Sequence, residues 1–389
     1  MGMWPEGPEG QLRIGLDASV IFSSVGGTRV YATQLLNSLL EARPDWTFFL
    51  YTRNQTQASG VEKQFRSGTV RSLPVSGSPN VWRLQVRLPG RLRSDRIDVY
   101  HSLGYFLPLR WAGPKVVTIH DLNMYMNWRS WMRPLTLTSW ADLVLETPLA
   151  AARSARIVTD SEFSKVSICR LLRIAPEKVT VIPLAPDDFF DAAPVTDELV
   201  AARKLTGPGP FVLSVGVLAP QKNLQTVIKA FATSGLHAKG GKLLLAGSDR
   251  AGYSHILRAV ARESGVDDGV LMPGFVPREV LRALYHETLS VVLASHGEGF
   301  GLPIVEAMAC GAPVIAANRQ SLPEVVGDAG VLFEPQDVVT LGRALSRMYD
   351  EPGFRSELID RGRRRRAQFS WRSAAEATAA IYEEVATRR

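Results

Sequence analysis

The sequence predicts an α/β protein made of two doubly wound, Rossmann-like parallel-sheet domains that face each other across a cleft. Short apolar runs alternate with amphipathic stretches of helical spacing along most of the 389 residues, and this alternation is typical of a parallel sheet with helices on both faces. At roughly 150 residues per domain, the length favours two domains over one. Hydrophobic residues make up 46% and charged residues 21% of the chain, which excludes the disordered, collagenous and disulfide-scaffold classes.

The first predicted domain covers residues 1–190. It begins with a strand, a glycine-bearing loop, a helix and a second strand, and the alternation continues as far as Ile182. The predicted strands are 12–16, 46–51, 99–100, 115–119, 156–159 and 179–182, and the clearest helices are 30–40 and 161–172.

The second predicted domain covers residues 211–370 and follows a linker-like stretch, 191–210, that ends in Gly-Pro-Gly-Pro. Its predicted strands are 211–215, 242–245, 270–272, 290–294, 313–316 and 330–333. The last segment, 371–389, has apolar residues at helical spacing and no following strand, so we expect a helix that crosses back to the first domain. Because open parallel sheets bind ligands at the carboxyl ends of their strands, functional residues should lie in the loops that follow strands.

Several classes of function are excluded by what the sequence lacks. No apolar run is long enough to span a membrane and the first residues do not resemble a secretory signal, so we expect a cytoplasmic protein. Cys169 and Cys310 lie far apart, which argues against a disulfide framework or a thiolate metal site. No D-x-D, H-E-x-x-H, paired-histidine or Walker motif occurs, so no metal site is predicted. The dinucleotide fingerprint G-x-G-x-x-G is also missing after the first strand.

The richest motif follows the predicted strand 290–294. Three glycines at 297, 299 and 301 permit a ligand to approach the backbone closely, and a helix should begin near Leu302. The free N–H groups and positive dipole end of that helix suit a phosphate or a diphosphate.

Two carboxylates flank this predicted phosphate site. Glu298 lies in the loop and Glu306 about one turn inside the helix, where they would accept hydrogen bonds from sugar and ribose hydroxyls. The alternative is a glycine-rich turn whose glutamate stabilises the helix dipole, which explains Glu298 alone but not the whole motif.

A second phosphate feature begins at Gly216, directly after the predicted strand 211–215. Lys222 lies six residues further on, at the start of a helix, and would neutralise a phosphate. The alternative is a surface lysine, but the helix dipole disfavours a cation at this end, which indicates an anionic ligand.

The first domain offers a histidine and a pair of glycines. His120 ends an apolar strand next to Asp121, a position that favours catalysis, although most single histidines are structural. Gly26 and Gly27 follow the first strand and would let a phosphate or an acceptor approach the backbone, a weak signal because many such loops hold two glycines.

Positive charge is concentrated in the first domain. The chain carries 45 Lys and Arg against 38 Asp and Glu, and residues 83–133 contain nine basic side chains and three acidic ones, with Trp82, Leu84, Val86, Leu88 and Leu92 between the arginines. This mixture is typical of a surface that binds an anionic membrane. It is equally typical of a solvent-exposed face on which the aliphatic parts of arginine side chains cover apolar residues. No RNA- or DNA-binding motif accompanies it, so no nucleic acid partner is expected.

Taken together, these motifs resemble those of the retaining glycosyltransferases of family 4, also called group 1, over nearly the whole chain. The strongest is the paired-glutamate motif Glu298-Gly-Phe-Gly-Leu-Pro-Ile-Val-Glu306. The others are Ala309-Cys-Gly-Ala-Pro-Val-Ile-Ala316, Ser321-Leu-Pro-Glu-Val-Val-Gly327, Gly274-Phe-Val276 and, more loosely, Thr118-Ile-His-Asp-Leu122 and Asp160-Ser-Glu-Phe-Ser164.

The resemblance implies the two-domain GT-B fold and a role for each matching residue. Glu298 would contact the hydroxyls of the donor sugar, Glu306 the ribose, and Lys222 the diphosphate beside Gly216. His120 would lie by the reacting carbon. The remaining donor-binding residues are Gly299, Phe300, Gly301 and Leu302 through their backbone, Val276 beside the base, and Gly26 and Gly27 against the phosphates. One departure is Gln221, where members usually carry arginine, and a neutral amide there weakens the expected grip on the diphosphate.

The activity that the resemblance implies is the transfer of mannose or another hexose, with retention, from a nucleotide diphosphate sugar to an acceptor hydroxyl. No metal and no cofactor are expected, because the nucleotide sugar is a co-substrate and Lys222 and the helix start would stabilise its diphosphate. The expected acceptor is a glycan or a lipid-linked glycan of surface polysaccharide synthesis, at the inner face of the plasma membrane if the basic stretch binds lipid. Acceptor recognition is expected around 72–80 and 123–147. The alternatives are a nucleotide-sugar epimerase or hydrolase and a non-catalytic nucleotide-sugar binding protein, and a nicotinamide-dependent dehydrogenase is disfavoured.

Overall fold

The computed structural model describes residues 11–23, 26–65, 70–74, 82–126 and 137–387. The chain forms two compact units. The first contains the described residues up to Tyr125, those of 137–184 and the segment from Trp371 onward, and the second contains Ala185–Ser370. Each unit is built on its own parallel sheet, which confirms the predicted fold class of two Rossmann-like domains.

The first unit has a seven-stranded sheet of order β3-β2-β1-β4-β5-β6-β7 in which all pairings are parallel. The central strands Val99–Ser102 and Lys115–Thr118 are buried along their whole length, because helices cover a sheet of this kind on both faces. The strands are β1 Arg13–Asp17, β2 Thr47–Thr52, β3 Val70–Pro74, β4 Val99–Ser102, β5 Lys115–Thr118, β6 Arg156–Thr159 and β7 Val179–Val181.

The helices of the first unit lie between these strands. Ser161 begins one of them as its N-cap, because its hydroxyl accepts a hydrogen bond from the N–H of Ser164 at 3.1 Å. The helices are α1 Val20–Ser23, α2 Gly27–Ala42, α3 Gln55–Gln64, α4 Leu88–Ser94 after a π-helical turn at Arg83–Arg87, α5 Asn123–Met126, α6 Leu137–Arg153 and α7 Glu162–Leu172.

The second unit has a six-stranded parallel sheet of order β10-β9-β8-β11-β12-β13. Its strands are β8 Phe211–Val215, β9 Lys242–Ala246, β10 Val270–Gly274, β11 Ser290–Leu293, β12 Val314–Ala317 and β13 Gly330–Phe333. Its helices are α8 Thr196–Thr206, α9 Leu224–Thr233, α10 Tyr253–Glu263, α11 Arg278–Glu287, α12 Leu302–Ala309, α13 Leu322–Val326, α14 Val338–Asp350 and α15 Pro352–Arg366.

Two features differ from the sequence prediction. The stretch 191–210, predicted as a linker, contains α8, which packs against α11 inside the second unit. Its glycines and prolines form the turn between α8 and β8, so the composition marks a turn within the unit. Strand β3 was not predicted, because Val70–Pro74 is a short edge strand with a charge and a proline and lacks the apolar run of a central strand.

The C-terminal helix α16, Trp371–Thr387, packs on α2 in the first unit. A chain of buried hydrogen bonds joins it to the sheet. The Tyr382 hydroxyl lies 2.5 Å from Nδ1 of His101, Nε2 of His101 lies 2.8 Å from Oγ1 of Thr118, and that oxygen lies 2.8 Å from the hydroxyl of Tyr31. Burial, followed by the charge of His120, lowers the pKa of His101 to about 3. The ring is therefore neutral, with one donor and one acceptor nitrogen, which suits both of its hydrogen bonds.

Replacing Tyr382 with phenylalanine should destabilise the first unit. The substitution keeps the ring in place but leaves a ring nitrogen of His101 buried without its partner, so we expect a loss of about 1–3 kcal/mol of unfolding free energy. All tryptophans lie outside Ala185–Ser370, so urea unfolding followed by tryptophan fluorescence reports on the rest of the chain. The control is Glu376→Gln, which breaks only an exposed ion pair of the same helix and should cost under about 0.5 kcal/mol. Equal effects of the two substitutions would contradict the role given to the buried hydrogen bond.

Candidate functional site

The predicted phosphate-binding loops of the second unit meet at one edge of its sheet. Strand β8 pairs with β11, with Ser290 opposite Val212 and Val291 opposite Leu213, so the loops that follow these two strands are neighbours. The backbone N–H of His296 in one loop donates to the carbonyl of Gln221 in the other at 2.9 Å. Two segments that are far apart in the sequence are thus fixed to each other.

Lys222 and Glu298 form an ion pair across these two loops. Lys222 ends a short 3₁₀ turn, Pro220–Lys222, and its Nζ donates to Oε1 of Glu298. The Ser295 hydroxyl donates to the same carboxylate oxygen at 2.6 Å. The lysine side chain is 21% exposed and that of the glutamate 19%, so both charged groups are largely sheltered but still reach solvent. The sequence analysis inferred an anionic ligand for Lys222 from its position at a helix start, and it did not predict Glu298 as the partner of this lysine.

Two glycines allow close packing around the backbone of residue 216, which lies against the lysine. Gly216 has φ of 138°, and a Cβ there would lie 3.3 Å from Cε of Lys222, which is tighter than most contacts of this kind. The neighbouring loop requires glycine at 247, because a Cβ there would lie 1.8 Å from the carbonyl oxygen of Gly216. The backbone at 216 is therefore enclosed by the lysine on one side and by the following loop on the other.

The glycine-rich loop leads into helix α12 as predicted. Gly301 is its N-cap with φ of 104°, and a Cβ there would lie 2.9 Å from Leu322, so glycine fits where a side chain would be both strained and crowded. The Ser321 hydroxyl donates to the carbonyls of Glu298 at 2.8 Å and Phe300 at 3.2 Å. This serine, from the start of α13, holds the loop in shape.

The apolar side chains at the end of this loop are buried in the protein. Phe300 is buried and packs edge to face on Phe369, with the ring centroids 5.6 Å apart, and Leu302 is 8% exposed. The burial of these side chains leaves the backbone as the part that the resemblance assigns to the donor, and that assignment stays a prediction. Gly299 is buried as well.

Glu306 lies one turn inside α12 and has a different environment from Glu298. Its Oε2 accepts a hydrogen bond from the buried hydroxyl of Tyr285 at 3.0 Å. Burial raises the pKa of Glu306 to about 7, against the lowering effect of the Tyr285 hydrogen bond, while Asp187 raises it and Arg278 lowers it by smaller amounts. The carboxyl group is therefore poised to gain or lose a proton near neutral pH.

Val276 occupies the loop between β10 and α11, and thus follows a strand of the same sheet. It is 8% exposed, whereas its neighbour Phe275 is 73% exposed. Because β10 is separated from β8 by β9, this loop lies further along the same edge than Lys222.

In the first unit, His120 follows β5 and is held by a carboxylate from the next strand. Its Nδ1 lies 2.8 Å from Oδ2 of Asp160, which follows β6, and Tyr31 packs on the imidazole edge to face at 4.8 Å. Burial lowers the pKa of His120, but the charge and hydrogen bond of Asp160 together with the charge of Asp121 outweigh it, so the pKa is raised. His120 is 9% exposed, and the bond at Nδ1 fixes its orientation.

The sequence analysis noted that His120 lies next to Asp121 but named no hydrogen-bond partner for it. The carboxylate of Asp121 accepts a hydrogen bond from the backbone N–H of Asn123 at 2.8 Å, and the partner of His120 is Asp160. The position of Asp160 could have been foreseen, because it directly follows the strand paired with β5 and therefore lies at the same edge.

The two predicted glycines of the first unit lie at the start of α2. Gly26 is its N-cap with φ of 97°, nothing lies within 4 Å of a Cβ built there, and both Gly26 and Gly27 are exposed. The backbone of this helix start is thus open to a ligand. Glycine is needed at 26 for its backbone conformation and not for lack of space.

The basic stretch of the first unit is partly buried and partly exposed. In the basic stretch, Leu84, Leu88 and Leu92 belong to the core, whereas Trp82 is 49% and Val86 37% exposed. Parts of the predicted acceptor-binding segments, 75–80 and 127–136, and with them Arg129 and Arg133, lie outside the described residues.

The residues that the structure describes contain neither a membrane-spanning helix nor a cluster of metal ligands. In this part of the chain no helix is long and apolar enough to cross a membrane. Within the same ranges, no three His, Cys, Asp or Glu side chains converge in a way that could hold a metal ion.

Comparisons with known proteins place this geometry in a family. Residues 196–365 match the family model described as glycosyl transferases group 1, and residues 25–188 match that of glycosyltransferase family 4. An MMP alpha-(1->4)-mannosyltransferase of Mycolicibacterium hassiacum is 30% identical over 315 residues, covering 77% of this chain and 73% of the relative. The O-antigen chain mannosyltransferase B of Escherichia coli is 28% identical over 293 residues, covering 75% and 76%.

A solved structure agrees on the fold. Anabaena HepE in complex with UDP-glucose superposes with a TM-score of 0.74 at 18% sequence identity, covering 96% of this chain and 99% of that one. The matches to the two family models, the two Rossmann-like units and the mannosyltransferase relatives all support one assignment. The chain belongs to the group 1, family 4 glycosyltransferases and has their GT-B fold.

Proposed function

We propose that this glycosyltransferase moves mannose or another hexose from a nucleotide diphosphate sugar to an acceptor hydroxyl, with retention and without a metal ion. The observation that carries the proposal is the Lys222–Glu298 pair at the start of α12. It combines a cation and a helix N-terminus, which suit a diphosphate, with a carboxylate, which suits sugar hydroxyls. The UDP-glucose bound to HepE supports a nucleotide-sugar donor.

The main demand on the protein is to stabilise the departing diphosphate. The transition state places positive charge on the sugar ring and negative charge on the leaving oxygen, so donors aimed at the diphosphate lower the barrier. Lys222 supplies a full charge and the first turn of α12 supplies backbone N–H groups and the positive end of the helix dipole.

Retention follows if the acceptor attacks from the side on which the diphosphate leaves. The acceptor oxygen forms a bond to the anomeric carbon as the bond from that carbon to the phosphate oxygen breaks, and the acceptor proton passes to that oxygen. The products are then the glycoside and the nucleoside diphosphate, and no other reactant is needed.

The carboxylates divide the recognition of the donor between them. Glu298, which reaches solvent, accepts hydrogen bonds from sugar hydroxyls, and the more enclosed Glu306 accepts them from the ribose. Val276 would lie beside the base, and Gly26 and Gly27 would let the helix start of the first unit approach the phosphates. His120, oriented by Asp160, is the candidate catalytic residue of the first unit.

We place the activity in the synthesis of surface polysaccharide or a lipid-linked glycan. The E. coli relative is an O-antigen chain mannosyltransferase, which supports this class of acceptor. The exposed Trp82 and Val86 beside the exposed Arg87 provide an aromatic, an aliphatic and a basic side chain on one stretch, a combination that suits the surface of an anionic membrane at the cytoplasmic side.

The reaction is tested by following the fate of the donor. Thermal shifts with GDP-mannose, UDP-glucose, UDP-N-acetylglucosamine and dTDP-rhamnose identify the donor, because a ligand that binds the native state raises the melting temperature.

With that donor and a mannoside acceptor, proton NMR should show a product of the same anomeric configuration as the donor. The rate of product formation should be the same with and without EDTA. A product of inverted configuration, or turnover abolished by EDTA, would contradict the mechanism, and release of free sugar regardless of acceptor would identify a hydrolase.

Replacing Lys222 with alanine should lower kcat/KM by about 10²- to 10³-fold, the loss typical of removing one group that stabilises developing charge. Glu298→Gln should lower it by a similar factor while keeping the shape of the side chain. The control is Lys229→Ala, an exposed lysine of the adjacent helix α9, which should leave the rate unchanged. Melting temperatures identify any loss caused by misfolding. A Lys222→Ala enzyme with the rate of the Lys229→Ala enzyme would remove this lysine from the site.

The role of Glu306 predicts a pH dependence of donor binding. Because its pKa is raised to about 7 by burial, the unliganded carboxyl group is mostly protonated at pH 6 and mostly ionised at pH 8. If ribose hydroxyls donate to the ionised form, donor affinity should rise about tenfold between these values. Titration calorimetry with the nucleotide sugar checks this, with Glu306→Gln as the reference because an amide does not titrate. An equal rise in the variant would assign the pH dependence to another group.

A further inference from the structure

A cavity of about 780 Å³ lies in the first unit at the amino-terminal ends of three neighbouring strands. Asp98 directly precedes β4, Lys115 begins β5, and Ala155 directly precedes β6, and all three line it. His120 and Asp160 follow the other ends of β5 and β6. The cavity therefore lies at the opposite edge of the sheet from these residues, and it has no part in the reaction proposed above.

The cavity is strongly basic. Four cationic residues from three segments line it together with one acidic residue: Arg93, Arg96, Lys115, Arg153 and Asp98. Asp98 accepts a hydrogen bond from the backbone N–H of Arg13 at 2.9 Å, which engages one of its oxygens. Across the part of the chain that the structure describes, no carboxylate pairs with the guanidinium of Arg93 or of Arg153. Positive charge in the cavity thus exceeds the negative charge available to balance it.

Lys115 is the most constrained of these cations. It is 8% exposed, and its Nζ donates to the carbonyls of Trp111 at 2.5 Å and Gly113 at 3.0 Å. Burial, followed by the charge of Arg153, lowers the pKa of this lysine. An ammonium group has three donors, so two backbone carbonyls leave one N–H for a further acceptor. A bound anion would offset the repulsion between the positive charges of Lys115 and Arg153.

The walls of the cavity are rigid. A Cβ on Gly113 would lie 2.2 Å from the ring of Trp111, so the loop before β5 folds tightly over that buried indole and needs glycine there. Leu92 and Ile97 beneath the cavity also belong to the core. Arg93, Arg96 and Arg153 are exposed and extend from this well-packed backbone, so their guanidinium groups are accessible to a ligand.

We propose that this cavity binds a soluble small molecule that carries two or more phosphate groups. Guanidinium groups pair with phosphate oxygens through two parallel hydrogen bonds, and several of them around one concave surface recognise a multiply charged anion better than a single carboxylate. The volume matches sites for small molecules, which span roughly 300–1,000 Å³. The excess of positive charge favours a ligand with more than one negative charge.

Titration calorimetry with sodium tripolyphosphate tests the proposal. The experiment uses the full chain carrying Lys222→Ala, which weakens phosphate binding in the second unit, at 150 mM salt to screen weak surface attraction. We expect one binding event that survives Lys222→Ala and weakens at least tenfold when Arg93→Ser and Arg153→Ser are added. Melting temperatures and unchanged nucleotide-sugar binding in the enzyme with Arg93→Ser and Arg153→Ser alone show that both units remain folded.

The control is Arg170→Ser, which removes an exposed arginine of α7 that does not line the cavity. It should leave the affinity unchanged, and an equal weakening by Arg170→Ser would reveal attraction to the basic surface at large and overturn the proposal. Absence of binding in the Lys222→Ala protein would overturn it too. Binding only to vesicles of anionic phospholipid, and not to tripolyphosphate, would assign the basic residues to a lipid surface and also reject the soluble ligand. None of these results depends on whether the enzyme transfers a sugar.

Discussion

The parallel pairing of neighbouring strands is the constraint on which the Lys222–Glu298 pair of the second unit and the His120–Asp160 pair of the first unit both depend. Because parallel strands all end at the same edge, pairing β8 with β11 makes neighbours of loops that are more than seventy residues apart, and the Lys222–Glu298 pair spans 76 residues. Pairing β5 with β6 does the same for His120 and Asp160, which are 40 residues apart. Each sheet thus converts a local pattern, an apolar strand followed by a polar residue, into a contact between distant parts of the chain.

The ion pair in the second unit has a consequence for the proposed reaction. In the free protein, Glu298 receives hydrogen bonds from Lys222 and Ser295, so the carboxylate is held in place and its charge is balanced. In the proposed reaction, an arriving diphosphate would attract the same lysine, and acceptor capacity on Glu298 would then become available for sugar hydroxyls. Under this proposal, one linked pair would recognise both the diphosphate and the sugar of the donor.

The sequence predicted every strand of the two sheets except β3, and the predicted strands include the edge strands β7, β10 and β13. Strands such as β8 and β11 are mostly apolar because both of their faces are buried, whereas β3 is short and mixed and was missed. Residues that follow central strands, such as His120 and Lys222, were found for the same reason. Partners contributed by other segments were not, because no local pattern shows that Ser321 reaches the carbonyl of Glu298 or that Tyr285 donates to Glu306. Those contacts depend on strand order, which the sequence leaves open.

The neutral Gln221 is best understood from its surroundings. Its carbonyl is already engaged by the N–H of His296, so this residue fixes the two loops through its backbone whatever its side chain. The missing arginine does not make Lys222 the only positive charge in the region, since Arg319, after β12, lies near enough for its charge to lower the pKa of His296, second only to burial. Strand β12 is the next neighbour of β11, so its loop reaches the same edge of the sheet. Positive charge near the phosphate-binding loops can thus come from a third strand, and a neutral residue at 221 is compatible with a site for a diphosphate.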